Sequence, residues 1–309
     1  MSAEVENMFY VREMPWHGLG TNVEEALSSG EALAAAGLNW NVVQKRIYTE
    51  DWNCVQGFYA NVRDSDNKVL GVVSHRYRIV QNREAFAFTD ELLGKGVRYE
   101  TAGSLREGRK TWILAKLPKQ YRLADDRVMP YLVFSNSHDG TGSIKAAMTP
   151  VRVVCSNTLN LALQGADRIW TASHTGDMEG KLEDAKRTLF MAENYMDELS
   201  KETERLCRRK VSSAEVEEYI KALLPVASDA TEIMEANVMR QRDDLRNRYH
   251  NAPDLKDVGK NGYRFINAVS DFATHAKPLR ETAGYKENLF LKTMEGNPLI
   301  DRAYRMLVA

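Results

Sequence analysis

The chain contains little cysteine and no long hydrophobic run, and both absences exclude classes of protein. Its 309 residues include three cysteines, Cys54, Cys155 and Cys207, which lie far apart and form no CxxC pair. This count argues against a zinc ribbon or a redox motif and is typical of a reducing cytoplasm. No apolar stretch approaches the ~20 residues that a membrane span needs. The first residues lack a signal-peptide pattern, so we expect a cytoplasmic protein with no membrane partner.

Nucleotide-binding motifs are also missing from the sequence. There is no GxxxxGK[ST] loop and no GxGxxG after a strand, so ATP or dinucleotide chemistry has no support and we expect no cofactor. The formal net charge is -1, which does not indicate a nucleic-acid binder. A local basic groove would nevertheless be enough to bind phosphates. The hydrophobic fraction of 43% predicts an ordinary globular core.

Strand patterns come first in the chain and helix patterns follow. Residues 40–150 alternate in strand fashion around polar turns at 64–68 and 106–109, and a helix is predicted over residues 83–93. The strand pattern includes residues 74–80, and Thr21 or Asn22 is expected to cap a helix that ends at Gly37. From about residue 179 the apolar spacing is helical and predicts one long helix over 179–208. A further helix is expected after a cap at Ser212 with Glu215 in its first turn, and another over 287–294. The sequence therefore predicts an α+β fold, in which an antiparallel, hairpin-rich sheet with crossing helices precedes a helical C-terminal region. We place the α+β core domain at residues 1–210 and the helical region at residues 211–309.

Six short motifs in this order resemble a known family. They are PWHGLGT at 15–21, YRIVQN at 77–82, AGSL at 102–105 with Gly108-Arg109, SNSHDG at 135–140, RVVCSNTL at 152–159, and NAV at 267–269 with Asp271 and His275. The chain thereby resembles a phage- and plasmid-encoded family named for its Leu-Gly-Thr motif, the uncharacterised domain family 932. The resemblance implies a mobile genetic element in a bacterial host, and it supplies no activity. The order of hairpins and helices is also similar to that of phage single-strand annealing proteins, a likeness that carries over no residue.

Basic and aromatic residues of the β region form the first candidate site. In a strand, Arg76 and Arg78 would project to the same side and could follow a phosphate backbone. Aromatic rings among such cations would stack on bases, as sequence-independent single-strand binding requires. The alternative is a solvated sheet face with its aromatics in the core. The residues that we expect to contact nucleic acid are Arg76, Tyr77, Arg78, Tyr99, Arg109, Lys110, Trp112 and Arg152.

The motif histidines and Cys155 of the fifth motif have both catalytic and structural interpretations. His138 and Asp139 could serve a metal-dependent hydrolase, with His17 as a further candidate, although a lone adjacent pair cannot complete a metal shell. Cys155 could be a nucleophile at a helix start, or it could be a buried cysteine before an N-cap. We favour turns and caps, so we predict no metal and no catalytic residue. The residues assigned to structure are Trp16, His17, Gly18, Gly20, His138, Asp139 and Asn157.

Three functions remain open from the sequence. The first is a DNA-binding accessory protein of a phage or plasmid, which binds and anneals single-stranded DNA in homologous recombination and forms a homo-oligomeric ring or filament. The second is a metal-dependent hydrolase or nuclease that uses His138 and Asp139. The third is a protein-interaction or anti-defence factor without chemistry. The first is our leading prediction, and it makes the protein a binder and not an enzyme.

Overall fold

The computed structural model describes residues 5–11, 21–23, 27–93, 98–117, 121–123, 126–152, 161, 169–190, 192–278 and 296–309. These residues form two antiparallel-rich sheets and eight helices, so the predicted α+β class is confirmed. The strands are β1 (Val5–Val11), β2 (Thr21–Val23), β3 (Val42–Tyr48), β4 (Cys54–Arg63), β5 (Val69–Ser74), β6 (Arg98–Leu105), β7 (Lys110–Lys116), β8 (Tyr121–Leu123), β9 (Asp126–Ser137), β10 (Ile144–Arg152) and β11 (Ile169–Ala172).

The helices lie mostly in the second half of the chain. They are α1 (Ser29–Ala35), α2 (Asn82–Leu93), α3 (Met178–Phe190), α4 (Ala192–Arg208), α5 (Ser213–Leu223), α6 (Glu232–Asn251), α7 (Gly262–His275) and α8 (Pro298–Val308). A 3-10 turn spans Pro253–Leu255. None of the helices in the described ranges combines the length and the hydrophobicity that crossing a membrane requires.

The larger sheet has eight strands. Seven follow the order β11-β10-β9-β7-β6-β1-β2, and β8 pairs with β9. The central β6–β7 hairpin pairs Gly103 with Trp112 and closes through the turn at residues 106–109, as the alternation predicted. The N-terminal strand β1 runs antiparallel to β6 and parallel to β2. Strands β1, β2 and β11 were not predicted from the sequence pattern.

The smaller sheet is the antiparallel meander β3-β4-β5. Lys45, Ala60 and Val72 lie opposite one another across the three strands, and so do Gln44, Asn61 and Gly71. Side chains opposite one another share a face, so these two rows mark the two faces of the sheet. Asn61 is fully buried, whereas Val72 is 58% exposed. The Asn61 face is therefore the inner face and the Val72 face is the outer one.

The chain divides into two compact units. The first comprises Met1–Lys119, Tyr131–Met148 and Asp167–Ala192, and the second comprises Gln120–Pro130, Thr149–Ala166 and Glu193–Ala309. The core of the first unit joins α1 and α2 to the sheets through residues such as Phe9, Leu38, Phe86, Tyr99 and Phe134. The domain boundary predicted at residue 210 is a statement about which part of the chain folds independently, and it remains a prediction.

Local signals located several helix ends well. Gly37 has φ 63° directly after α1, as expected for a left-handed helix end. Ser212 and Glu215 form the predicted capping box of α5: the Ser212 hydroxyl accepts from the Glu215 amide at 3.2 Å, and Glu215 accepts from the Ser212 amide at 2.8 Å. The expected cap of α1 at Thr21 or Asn22 is wrong, because the helix starts after Ser28, which forms a capping box with Glu31.

Three other element predictions need correction or remain outside the structure. The strand expected over residues 74–80 ends at Ser74, because the Tyr77 amide donates to the Ser74 carbonyl in a turn. The single helix expected over 179–208 is described as α3 and α4, and residue 191 between them is outside the described set. The helix expected over 287–294 also lies outside the described residues.

In the second unit, α7 is the central helix and packs against α6 and α8. Its Arg264 is only 9% exposed, and its guanidinium lies 5.4 Å above the centre of the Tyr249 ring. Nε donates to the Tyr249 carbonyl at 2.7 Å, and Nη2 donates to that of His250 at 3.1 Å. Nη1 donates to the carbonyls of Leu255 and Val258. The side chain thus satisfies the carbonyl end of α6 and stabilises the dipole of that helix.

We expect Arg264→Met to lower the free energy of unfolding by about 2 kcal/mol. Methionine keeps the apolar stem but leaves buried carbonyls without their charged donor, which is costly. Urea denaturation followed by tryptophan fluorescence and circular dichroism would measure the change. Arg208→Met is the matched control, because Arg208 is 80% exposed and its ion pair with Glu204 is a surface contact. Equal stability of the two variants would contradict the assigned role of Arg264.

Candidate nucleic-acid interface

Arg76 and Arg78 lie on the exposed segment that follows β5. They are not on a strand, but both side chains face solvent and Tyr77 between them points inward. Within the described part of the chain, neither arginine has a carboxylate at salt-bridge distance. Two solvated cations therefore flank a buried ring, and both are free to contact an anion.

The buried side chain of Tyr77 fixes this segment to the rest of the fold. Its ring is 7% exposed and stacks on the His174 imidazole, with ring centres 4.6 Å apart and an angle of 13° between the planes. Its hydroxyl donates to the Ser137 carbonyl at 2.5 Å. Burial raises the pKa of Tyr77 above its usual range, so the hydroxyl stays a donor. Tyr77 therefore fixes the segment and does not present a ring to bases, which differs from our expectation.

His174 holds the same segment through its backbone. The Arg78 amide donates to the His174 carbonyl at 2.8 Å, and the His174 Nδ1–H donates to the Arg78 carbonyl at 2.9 Å. Because a carbonyl can only accept, Nδ1 carries a proton. Desolvation lowers the pKa of His174, which favours the neutral ring with that proton on Nδ1. The reciprocal pair positions the backbone between Arg76 and Arg78.

Two other aromatic residues that we expected at the interface are buried. Tyr99 is 0% exposed, and its hydroxyl donates to the Asp90 carboxylate at 2.6 Å. Trp112 is 5% exposed on β7, opposite Gly103 and Ser135 on the neighbouring strands. Both residues are on central strands of the larger sheet, where packing covers their rings. In this structure the rings of Tyr99 and Trp112 are not available to stack on bases.

The remaining expected cations lie at the end of the β6–β7 hairpin or on β10. Arg109 is exposed in the turn, and its carbonyl accepts from the His138 amide at 2.7 Å. Lys110 begins β7 opposite Ser137, the residue whose carbonyl accepts from Tyr77. The structure thus brings the backbone of the 109–110 pair and of the Arg76–Arg78 segment to the same end of β9. Arg152 ends β10, and its side chain lies outside the description.

Exposed aromatic residues that the sequence reasoning missed lie on the smaller sheet. Trp52 is 83% exposed in the β3–β4 turn and has φ 60°, a left-handed backbone conformation. Its ring centre is 6.3 Å from that of Tyr48, which is 47% exposed. Phe58 on β4 is 48% exposed and is opposite Ser74, two residues before Arg76. A tryptophan within the polar turn 49–53 was the signal that could have indicated this surface.

The outer face of the smaller sheet continues from Phe58. Val43, Val69 and Val72 on this face are 38%, 51% and 58% exposed. Lys45 is on the same face opposite Ala60, and its Nζ donates to the Asn67 side chain at 2.8 Å. The face is therefore an apolar, partly aromatic surface with one cation in its middle row, and the Arg76–Arg78 segment follows its last strand.

A buried polar network lies on the inner side of the same sheet. His138 is fully buried, and its Nε2–H donates to the Asn82 side-chain oxygen at 3.1 Å. The Asn82 amide nitrogen donates to the Leu38 carbonyl at 3.0 Å, which fixes its orientation. The Asn61 amide donates to the His138 carbonyl at 2.7 Å, and the Trp40 and His138 ring centres are 5.4 Å apart with 63° between the ring planes. Desolvation lowers the pKa of His138 to about 3, so the ring is neutral.

Asp139 organises the turn after β9. Its carboxylate accepts from the Ser137 hydroxyl at 2.5 Å and from the Thr141 amide and hydroxyl at 2.8 and 2.7 Å. Burial acts to raise the pKa of Asp139, but these hydrogen bonds outweigh it and hold the pKa below its usual value. Gly140 follows with φ 79°. The carboxylate thus forms an Asx-type turn, and these hydrogen-bond partners all lie between residues 137 and 141.

His138 and Asp139, the two residues of the hydrolase alternative, are both engaged in these structural contacts. A catalytic role would require His138 to leave Asn82 and become accessible, and Asp139 to give up its turn. Within the described residues, no group of three or more His, Cys, Asp or Glu side chains is arranged to hold a metal ion. Trp16, His17, Gly18, Gly20, Cys155 and Asn157 lie outside the described residues.

Together these features define an α+β protein in which a small, partly aromatic sheet is fixed to a larger sheet by a buried Asn–His network. The chain belongs to the family described as a domain of unknown function (DUF932), whose profile matches residues 69–293. The matched range includes the Arg76–Arg78 segment and the turn at His138, and it begins at the first residue of β5. No curated protein and no solved structure matches the chain.

Proposed function

We propose that this protein binds single-stranded DNA and promotes its annealing as a cytoplasmic accessory factor of a phage or plasmid. The observation that carries the proposal is the exposure of Trp52 and Phe58 on a sheet that leads directly into Arg76 and Arg78. Exposed aromatic rings and free cations close together are the two elements that sequence-independent single-strand binding combines.

The aromatic part of the interface is the smaller sheet. A ring that lies on a sheet face offers a platform on which an unpaired base can stack, and any base has a suitable π-face. Phe58 is such a ring, and Val43 and Val72 on the same face of the sheet extend the apolar surface. Trp52 and Tyr48 lie at the hairpin end of the sheet and add a second pair of rings. Burying these exposed rings against bases would remove apolar area from water.

The cationic part is the segment after β5, together with the β6–β7 turn. Arg76, Arg78 and Arg109 are exposed, and their backbones are held by Tyr77, His174 and His138. A cation on a fixed backbone loses less conformational freedom on contact with a phosphate than one on a mobile loop. Arginine can also contact a phosphate through two parallel hydrogen bonds. Annealing itself needs no cofactor, because base pairing supplies the driving force.

We expect Phe58→Ala to weaken single-strand binding by about 1–3 kcal/mol with little change in its salt dependence, because stacking involves no counterion release. Replacing both Arg76 and Arg78 by Ala should instead flatten the slope of log affinity against log salt by roughly 0.7 per lost phosphate contact. Fluorescence anisotropy with a labelled oligonucleotide, measured over a salt series, separates the two effects.

Matched controls keep this experiment specific. Arg187 is 78% exposed on α3, outside the proposed surface, so Arg187→Ala should leave both affinity and slope unchanged. Thermal melts must show that Phe58→Ala is folded, which its 48% exposure leads us to expect. If the parent protein shows no binding at low salt, or if the double arginine variant keeps the parental slope, the proposal fails.

A second candidate function is protein interaction, and the outer face of the smaller sheet favours it. Val69 and Val72 expose apolar area on this face, and Val72 lies opposite Ala60, which is two residues from Phe58 on β4. A contiguous exposed apolar patch is typical of protein contact sites. Loss of a protein partner on Val72→Asp, with single-strand binding unchanged, would assign this face to protein recognition instead.

A further inference from the structure

The first turns of α6 expose apolar side chains on the face that points away from the core. Leu245 and Tyr249 are buried and define the inner side of this helix. Ile233 and Met239 are 74% and 42% exposed, and Ala236 between them is also exposed. The three residues are spaced by three, so they form one stripe on the opposite side of the helix. An apolar stripe on an outward helix face is unusual for a solvated surface.

Charges flank this stripe in a symmetric arrangement. Glu232 precedes Ala236 by four residues, and Arg240 follows it by four. Both side chains are exposed, and within the described residues neither forms an ion pair. Ile233 and Met239 are likewise three residues before and after Ala236. The Met239 sulfur accepts a weak contact from Arg242 at 3.8 Å, which leaves its exposed surface free. When two copies of the stripe run in opposite directions, each apolar residue therefore faces an apolar residue and each charge faces the opposite charge.

We propose that this face binds a second copy of the chain, with two α6 helices crossing antiparallel at Ala236. A two-fold axis at Ala236 places Ile233 against the partner's Met239 and Glu232 against the partner's Arg240, twice over. Such an isologous contact needs a surface that is complementary to itself. The small side chain at the centre lets the two helices approach closely, and the two symmetric ion pairs favour the antiparallel orientation.

The contact is small, and this sets the expected affinity. Five residues of one helix from each copy bury less area than a standard interface of ~800 Å² per partner. We therefore expect a reversible dimer with a dissociation constant in the range of roughly micromolar to tens of micromolar. The inference does not depend on the proposed DNA binding, because it rests on α6 alone.

Charge reversal tests the pairing directly. Sedimentation equilibrium of the full chain should show a dimer, and Ile233→Arg should raise its dissociation constant at least tenfold. Glu232→Arg should weaken the dimer as well, because it places two arginines opposite each other. The double variant Glu232→Arg with Arg240→Glu should restore the parental constant. A monomeric parent at 100 μM (roughly ten times the expected constant), or a dimer that ignores Ile233→Arg, overturns the proposal.

Cysteine cross-linking tests the position of the axis. Ala236→Cys should form an intermolecular disulfide under mild oxidation, because the residue meets its own symmetry mate at the crossing. Asn247→Cys is the matched control on an exposed position of the same helix. It is eleven residues further along, so its symmetry mates would be about 33 Å apart. Equal cross-linking of both variants, above that of the parent with its own cysteines, would contradict the antiparallel crossing.

Discussion

Lowering the pH from 7 to 5 should reduce the free energy of unfolding by about 2 kcal/mol through His138 alone, and by about 3 kcal/mol at pH 4. His138 is fully buried. Within the described residues, the only hydrogen bond of its ring is the one from Nε2 to the Asn82 side chain. The other ring nitrogen, Nδ1, has no partner among those residues. Protonation would therefore place a charge in the core without an acceptor for the new proton.

The direction of the pH effect follows from the two pKa values. The pKa of His138 falls from 6.5, its ordinary value and that of the unfolded chain, to about 3 in the folded protein. Between these values the unfolded chain binds a proton that the folded chain does not. The stabilisation is complete above about pH 6.5 and is lost as the pH falls towards 3. The lowered pKa of His174 acts in the same direction.

Urea denaturation at several values between pH 5 and 7 would measure the effect. This window lies above the range in which Asp139 titrates, because its pKa is below the ordinary value of 3.8. The slope of unfolding free energy against pH reports the protons taken up on unfolding. His138→Gln should reduce that uptake by up to about one proton, although the variant is itself less stable. His75→Gln is the matched control for the loss of a histidine, since His75 is exposed. A parent whose stability is flat over this window would contradict a buried neutral His138.

Local sequence signals were sufficient for the elements that depend on neighbouring residues. The hairpin between β6 and β7 follows from alternation on both sides of a turn that contains Gly108, whose φ is 88°. The N-cap of α5 follows from Ser212 and Glu215, which satisfy each other's amides. Such interactions span three or four residues, so their pattern can be read directly from the sequence.

Contacts between distant parts of the chain could not be predicted in this way. Tyr77 contacts Ser137 and His174, which are 60 and 97 positions away in sequence, and Asn61 contacts His138. The alternating pattern placed Tyr77 between two arginines, but it could not show which of these side chains the larger sheet would bury. The same limit applied to Tyr99 and Trp112, which sit on strands whose neighbours were unknown. The exposed ring of Phe58 was missed for the same reason, whereas Trp52 lies in a polar turn that the sequence alone shows.

Gly71→Ala should destabilise the protein by about 3 kcal/mol or more, because the backbone at Asp139 crosses β5 at this residue. A Cβ atom at Gly71 would lie 2.5 Å from the Asp139 carbonyl oxygen and 2.6 Å from its Cα. Both are backbone atoms that cannot rotate away. The same turn is held by Asn61, which is opposite Gly71 and donates to the His138 carbonyl at 2.7 Å. Relief of the clash would therefore have to break that hydrogen bond or shift β5.

Gly30→Ala is the control that separates this clash from the general effect of replacing glycine. Gly30 lies in the first turn of α1, and a Cβ atom there would meet nothing within 4 Å. Alanine should leave stability unchanged or raise it by up to about 1 kcal/mol, since it restricts the unfolded chain and favours helix. Chemical denaturation of both variants gives the comparison. If Gly71→Ala were as stable as Gly30→Ala, the His138 turn could not lie against β5, and the link between the two sheets would have to be built differently.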